Sequence, residues 1–336
     1  MPLRASSFRL IVVAAAALLL PAGIAGQAPA AKKWTPPRAA DGHPDLQGIW
    51  LARTATPLER PKALEGRASL TDEEVATLQA RANRMFKAGN SDFAAGDAVF
   101  LAALDGREQF KSPTSTHNSE DMIEREFDHH TSLVIDPPDG RIPPITPEAR
   151  HRRAVMGGAA ANPQGPEDLG NAFRCLSWGV PRLGGRYGAG DLGFYQIVQT
   201  PSSVVLFMET GHEARIVALD GRPHLAPGVT QWGGDSRGHW EGDTLVVDTV
   251  NFSPKANFMG AAEHLHLIER FTRVSADTIT YQMTFDDTTT WTRPWTAEMP
   301  LKSSDQHLYE YACHEGNLVM TKGVLGAARA RERAGR

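Results

Sequence analysis

From Arg237 to Cys313 short runs with strand alternation follow one another, and one carries an acidic residue where the pattern calls for an apolar one. Successive side chains of a strand point to opposite sides, so Leu265, Leu267, Glu269 and Phe271 share one face. A carboxylate on such a face is either half of a buried ion pair or a functional group with a perturbed pKa. With an Arg or His partner, Glu269 is ionised and structural. Without one it stays protonated and becomes a candidate general acid. The partnered case is the expectation, because structural ion pairs are also a common reason for a buried acid.

The same alternation defines the fold class. Tyr195 to Thr200, Ser203 to Glu209 and Ala214 to Leu219 read as strands joined by tight connections. Leu245 to Val250, Leu265 to Val274, Thr278 to Phe285, Trp295 to Leu301 and His307 to Cys313 continue the series. The face Ile279, Tyr281, Met283, Phe285 is apolar throughout, and Thr278, Thr280, Gln282 and Thr284 face the other way. About eight strands with short links predict a mainly β protein, an antiparallel calycin-like barrel or a sandwich. No fixed repeat is visible, which argues against a propeller.

The N-terminal half reads differently. Residues 1–26 have a basic start at Arg4 and Arg9, an apolar core from Leu10 to Leu20 and small residues before Gly26. That is the pattern of a cleaved signal peptide, and its apolar run is roughly half the ~20 residues of a membrane span. Residues 27–44 are Ala- and Pro-rich and read as a linker. Residues 45–190 read as an irregular part carrying one or two helices. The strongest is 71–87, where Thr71 and Glu74 have capping-box spacing ahead of Val75, Leu78 and Met85. Glu148 to Met156 is a second, shorter candidate, and Ser132 to Asp136 is a short apolar run ended by Pro137-Pro138-Asp139-Gly140. The β domain is expected over 191–320, with a tail at 321–336.

Two cysteines, Cys175 and Cys313, occur in the whole chain. In an oxidising compartment they form one bridge or remain two free thiols, and neither belongs to a CxxC. A bridge is the expectation. A net charge of -4 gives no electrostatic case for nucleic acid. Together with the N-terminus this predicts a periplasmic or secreted protein with no membrane span after cleavage.

Two resemblances stand beside this reading. The segment Asp45-Leu46-Gln47-Gly48-Ile49-Trp50 resembles the first strand of lipocalins in its Gly-x-Trp, which implies a Trp plugging one end of a barrel. Over longer stretches, Arg237 to Thr249, Leu265 to Arg273 and Trp291-Thr292-Arg293-Pro294-Trp295-Thr296 resemble a family of uncharacterised secreted bacterial proteins. Ser132 to Pro147, Arg174 to Cys175, Tyr195 to Leu225 and Tyr309 to Asn317 extend that resemblance over most of the chain. It implies export and one fold but transfers no catalytic role, and His239 stands where Arg is more usual.

Several constellations carry potential chemistry. Glu209, His212 and Arg215 surround one tight connection, and a His beside a carboxylate suits acid/base work. A hairpin decorated with polar residues has the same composition. His264 and His266 share a strand face if the strand is regular, about 7 Å apart at ~3.3 Å per residue, a spacing open to a metal or simply to solvent. Trp232, Trp240, Trp291, Arg293, Trp295 and Tyr311, with His266, form an aromatic and cationic set that could stack a ligand and fix its polar end, or serve as core plugs. No nucleophile elbow, phosphate loop or zincin motif is present, and no cofactor is indicated. The expectation is an exported protein binding a small apolar or aromatic molecule in its β domain. A lyase, isomerase or hydrolase using His212 with Glu209, Arg215 and Glu269, and a non-catalytic scaffold, remain the alternatives.

Overall fold

The alternating runs assemble as ten strands of one sheet in the computed structural model, which describes residues 34–87, 96–107, 125–183 and 193–335. They are β1 (Gly48–Leu51), β2 (Val134–Asp136), β3 (Phe194–Gln199), β4 (Ser203–Met208), β5 (Glu213–Ala218), β6 (Asp235–Glu241), β7 (Thr244–Val250), β8 (His266–Arg273), β9 (Thr278–Asp286) and β10 (Trp295–Ser304). Neighbours run β1-β3-β4-β5-β6-β7-β8-β9-β10, and β10 returns to β1, so nine strands close a barrel. The sandwich alternative is therefore set aside. β10 is long enough to divide its second edge, with Thr296 and Ala297 taking β2 and Lys302 to Ser304 taking β1.

A ring in which every neighbour is antiparallel needs an even number of strands. With nine, one junction must be parallel, and that junction is β5–β6, joined by the single bridge Ala218↔Arg237. Gly238 lies beside this seam, where a Cβ would stand 2.6 Å from Val217 Cγ1 and 2.8 Å from Leu219 Cδ2. Only glycine lets the Val217 and Leu219 side chains come in that close.

The interior follows from the register. Gly238, Val247, Glu269, Met283 and Ala297 share one row across β6 to β10, and Trp240, Leu245, Phe271, Tyr281 and Met299 share the next. All of them are fully buried except Trp240 at the rim, which stacks on His43 at 4.8 Å. Trp50 closes the same end. Its indole donates to Leu46 O at 2.8 Å, the Arg273 guanidinium lies 5.3 Å from its ring, and Arg273 Nη1 donates to Asp45 O. At the opposite end Phe285 stacks between Phe258 (4.8 Å) and Trp295 (4.1 Å), with Trp291 edge-on.

Among the described residues four α-helices lie outside the barrel: α1 (Asp72–Lys87), α2 (Gly96–Leu104), α3 (Pro147–Ala161) and α4 (Cys313–Ala334). The α1 cap is as its spacing predicts, with Thr71 N donating to Glu74 Oε2 and Glu74 N donating to Thr71 Oγ1. Leu78, Ala82 and Met85 then pack with Phe100 of α2 and with Phe127 in a second small core. α3 runs five residues beyond the expected Met156, capped by Thr146 and started by Pro147.

The expected strand His307 to Cys313 is absent, and α4 begins at Cys313. Strand alternation there lacks a partner, because β1 and β2 already occupy the free edge of β10. Conversely β6 was not expected, since Ser236, Gly238 and charged neighbours hide its alternation. The barrel also recruits β1 and β2 from the segment expected to be irregular. The proposed signal peptide and residues 27–33 of the linker fall outside the described residues; in the described part of the linker, Arg38 pairs with Asp243 at 2.7 Å.

Cys175 and Cys313 are bridged, and both cysteines of the chain are thereby used. The bridge joins the segment before β3 to the first turn of α4 rather than to a final strand. Closing a loop of 138 residues restrains the unfolded chain strongly. Folded, unreduced protein is therefore expected to show no titratable thiol, and Cys313→Ser to lose about 2 to 5 kcal/mol in urea unfolding.

Candidate functional site

The acid that breaks the apolar pattern has its partner. Arg215, inward on β5, meets Glu269 of β8 across the interior with Nη1–Oε2 at 2.6 Å and Nη2–Oε1 at 2.8 Å. Tyr281 OH donates to the same Oε1. Glu269 is 0% exposed. Burial works against the Arg215 charge, but the adjacent carboxylate more than offsets it and the guanidinium pKa is raised. Burial, and then the Glu269 charge, push the Tyr281 phenol well above its usual range, so it remains a donor. This is the partnered, structural alternative for Glu269.

Fork-to-fork geometry with a third donor satisfies the carboxylate, and removing one member strands a buried charge. Glu269→Ala is expected to lose about 3 to 5 kcal/mol. The triple change Arg215→Met, Glu269→Leu, Tyr281→Phe should recover most of that loss, because desolvation of charge disappears with the charges. Urea unfolding of both variants checks this.

A second polar chain lies on the outer face. His224, from the long β5–β6 link, places Nδ1 2.9 Å from Asp235 Oδ2 and Nε2 3.0 Å from Asp248 Oδ1. Asp248 Oδ2 continues to His266 Nε2 at 2.9 Å. Asp235 also takes the Leu225 amide and pairs with Arg237. Both nitrogens of His224 are thus engaged by carboxylates, which makes it a clamp for the link. The hydrogen bond from His266 holds the Asp248 carboxyl below the usual range, and the reciprocal bond raises His266.

The pH dependence follows from those directions. Asp248 contributes above its unfolded pKa, and His266 contributes below its own, so the pair is fully effective between about pH 4 and 6.5. Its effect fades as pH rises through the elevated His266 value or falls through the depressed Asp248 value. Both groups are more than one-third exposed, which holds the effect to about 1 kcal/mol or less. Asp248→Asn should lower the melting temperature most within that window and least at alkaline pH.

The third feature is a cleft of about 500 Å³ at the Phe258 end of the barrel. Phe173 and Trp178 form one wall from the disulfide-tied segment, Phe258 and Met259 another from the β7–β8 link, and Arg153 and Met156 of α3 the third. Phe173 is 53% exposed and Met156 48%, so apolar surface faces the opening. Beneath the cleft, Trp178 meets Tyr311 edge-on at 5.2 Å and Arg182 at 5.9 Å. Glu213 fixes this floor by accepting from Trp178 N at 3.1 Å and pairing with Arg182 at 3.3 Å. Tyr195 OH donates to Arg182 O.

The residues expected from sequence are distributed among these features. Arg215 leaves the His212 turn for the interior. His212 Nε2 accepts from the Tyr311 amide at 3.0 Å, and Glu209 takes the His212 backbone N–H on its carbonyl. Trp291 and Trp295 are core, 0% exposed, and Arg293 forms a two-pronged pair with Asp136 on the surface. Trp240 is the rim residue stacked on His43. Trp232 borders a residual space of only about 10 Å³ next to Phe258, and Tyr311 reaches the cleft floor through Trp178.

The expected sharing of a face by His264 and His266 fails because β8 begins at His266. His264 lies in the preceding turn, 3.6 Å from Glu263, and His266 is taken by Asp248. No group of His, Cys, Asp and Glu among the described residues is arranged to hold a metal ion. Phe173, Arg153 and Phe258 escaped sequence reading. The available signal was two aromatic residues, Phe173 and Trp178, flanking Cys175 in a Gly- and Pro-rich stretch.

No protein-family model, curated protein or solved structure matches this chain.

Proposed function

We propose that this is an exported protein that binds a small apolar or aromatic molecule at the Phe258 end of its barrel. The carrying observation is the cleft of about 500 Å³ walled by Phe173, Trp178 and Phe258. That volume lies within the range of small-molecule sites, and flat aromatic walls suit stacking. The barrel interior is a poorer host, because the rows around Glu269 are filled by Phe271, Tyr281 and Met283. The disulfide supports export. Among the described residues no helix is long and apolar enough to cross a membrane.

An acid/base mechanism finds less support. The His224 ring nitrogens face two carboxylates, and His212 Nε2 is held by a backbone amide. Purified protein titrated with a panel of neutral aromatic and alkyl compounds should show saturable quenching of Trp fluorescence and a 1:1 complex in native mass spectrometry. Phe173→Ala, at a half-exposed position, is expected to weaken that binding about five- to tenfold from lost apolar contact. Absence of saturable binding, or unchanged affinity in Phe173→Ala, would overturn the reading.

A further inference from the structure

We infer that the ligand of this cleft is elongated: a flat ring held between the aromatic walls, and a neutral, unbranched hydrocarbon chain that passes over Met259 into a second apolar space. The inference rests on the binding reading above and narrows it to a chemical class. The second space, of about 220 Å³, is walled by Pro57, Leu58, Pro61, Leu101 and Ile142. Met259 belongs to its lining and to that of the cleft, so the two spaces adjoin at this residue.

The composition of the two linings assigns the ends of the ligand. Phe173, Trp178 and Phe258 line the cleft, whereas none of the described residues lining the second space is aromatic. Aliphatic side chains and proline rings offer dispersion contact but no face for stacking. The backbone there offers little to a polar group. Pro57 and Pro61 have no N–H, Arg60 N donates to Gly140 O at 2.8 Å, and Ile142 N donates to Glu59 Oε1 at 2.9 Å. A polar group entering this space would give up water for no partner, and a methylene chain has none to give up. Glu59, the charged residue of the lining, is exposed and disfavours a chain that ends in an anion.

The second space is built on fixed elements. Leu133 N donates to Pro57 O at 2.7 Å and Val134 N to Leu58 O at 3.1 Å, which ties this wall to the start of β2. Ile142 packs against the main core, as does Met259. Leu101, 42% exposed, is presented by α2, and a chain laid against it removes apolar surface from water. The backbone of Met259 is fixed as well. It lies in the left-handed region at φ +52, between Phe258 and Ala261, whose N–H and C=O groups exchange two hydrogen bonds of 2.9 Å, and its carbonyl accepts from Arg153 Nη2. The side chain is what remains to adjust, and an unbranched thioether yields readily to a chain crossing it.

The test is a series of 4-alkylphenols from ethyl to octyl, titrated against the full chain by calorimetry below their aggregation limits. Affinity for the wild type should rise about two- to fourfold with each added methylene, the increment for hydrocarbon removed from water, with one ligand bound per chain. Leu101→Gln keeps the helix propensity of α2. It should leave 4-ethylphenol within about twofold of its wild-type affinity and weaken 4-octylphenol about fivefold or more. Ile142→Gln, on a separate segment, should act in the same way. Phe173→Ala should weaken the short and the long member by a similar factor, because it acts on the ring. Unchanged binding of 4-ethylphenol serves as the check that each variant is folded.

An affinity that stops rising at propyl, or 4-octylphenol binding that neither Leu101→Gln nor Ile142→Gln weakens, would overturn this inference while leaving aromatic binding in the cleft in place. Two octylphenol molecules per chain, or octylphenol binding indifferent to Phe173→Ala, would show two separate sites and overturn it as well. Failure of every member of the series to bind would overturn the inference and the reading beneath it.

Discussion

The Arg215–Glu269 pair is the interaction on which the architecture depends. Two full charges inside an apolar barrel are tolerable only when held fork to fork and supported by a third donor, and Tyr281 supplies it. The two residues belong to different parts of the ring. β3, β4 and β5 form one meander and β6 to β10 another, each contiguous in sequence. The meanders meet at the single-bridge seam and, at the other side, through the four residues of β1. A pair running from β5 to β8 therefore braces two halves whose backbone junctions are weak. Side-chain electrostatics does there what ladder hydrogen bonds do elsewhere.

The odd strand count explains more than the seam. A parallel junction cannot be made by a tight turn, so the chain between β5 and β6 must travel back along the barrel before β6 begins. That travelling segment crosses the outer face, and His224 fastens it between Asp235 and Asp248. At the Phe258 end, the β7–β8 link and the disulfide-tied segment fold over the barrel mouth, and the cleft lies between them and α3. Small-molecule sites in barrels commonly occupy such mouths. Here the interior is spent on packing, and the opening is displaced to the lid.

How far the sequence foretold this depends on where each residue's partners lie. β7 to β10 were legible because their partners are neighbours in sequence and one face is wholly buried, as at Ile279, Tyr281, Met283 and Phe285. β6 was not, since its inward residues are Ser236, Gly238 and the rim residue Trp240, and the seam demands that poverty of side chains. Glu269 stood out as an exception to its strand, and a cationic partner was anticipated. That the partner is Arg215 was not, because the choice is made by closure of the ring and not by proximity along the chain. The cleft was least legible. Phe173, Arg153 and Phe258 come from three irregular or surface segments whose meeting is arranged by the barrel end and by the Cys175–Cys313 bridge.

The closing strand carries a consequence for how the protein comes into being. β1 lies near the start of the folded chain, yet its partners are β3 and the last strand, β10. A chain delivered from its N-terminus releases β1 first, brings it β3 midway, and leaves its other edge without a mate until β10 arrives near the end. During that interval the second edge of β1 is an open ladder, the kind of edge that recruits a strand from another molecule. Four residues around Trp50 thus decide whether the last step is a lid closing on its own box or a seam shared with a stranger.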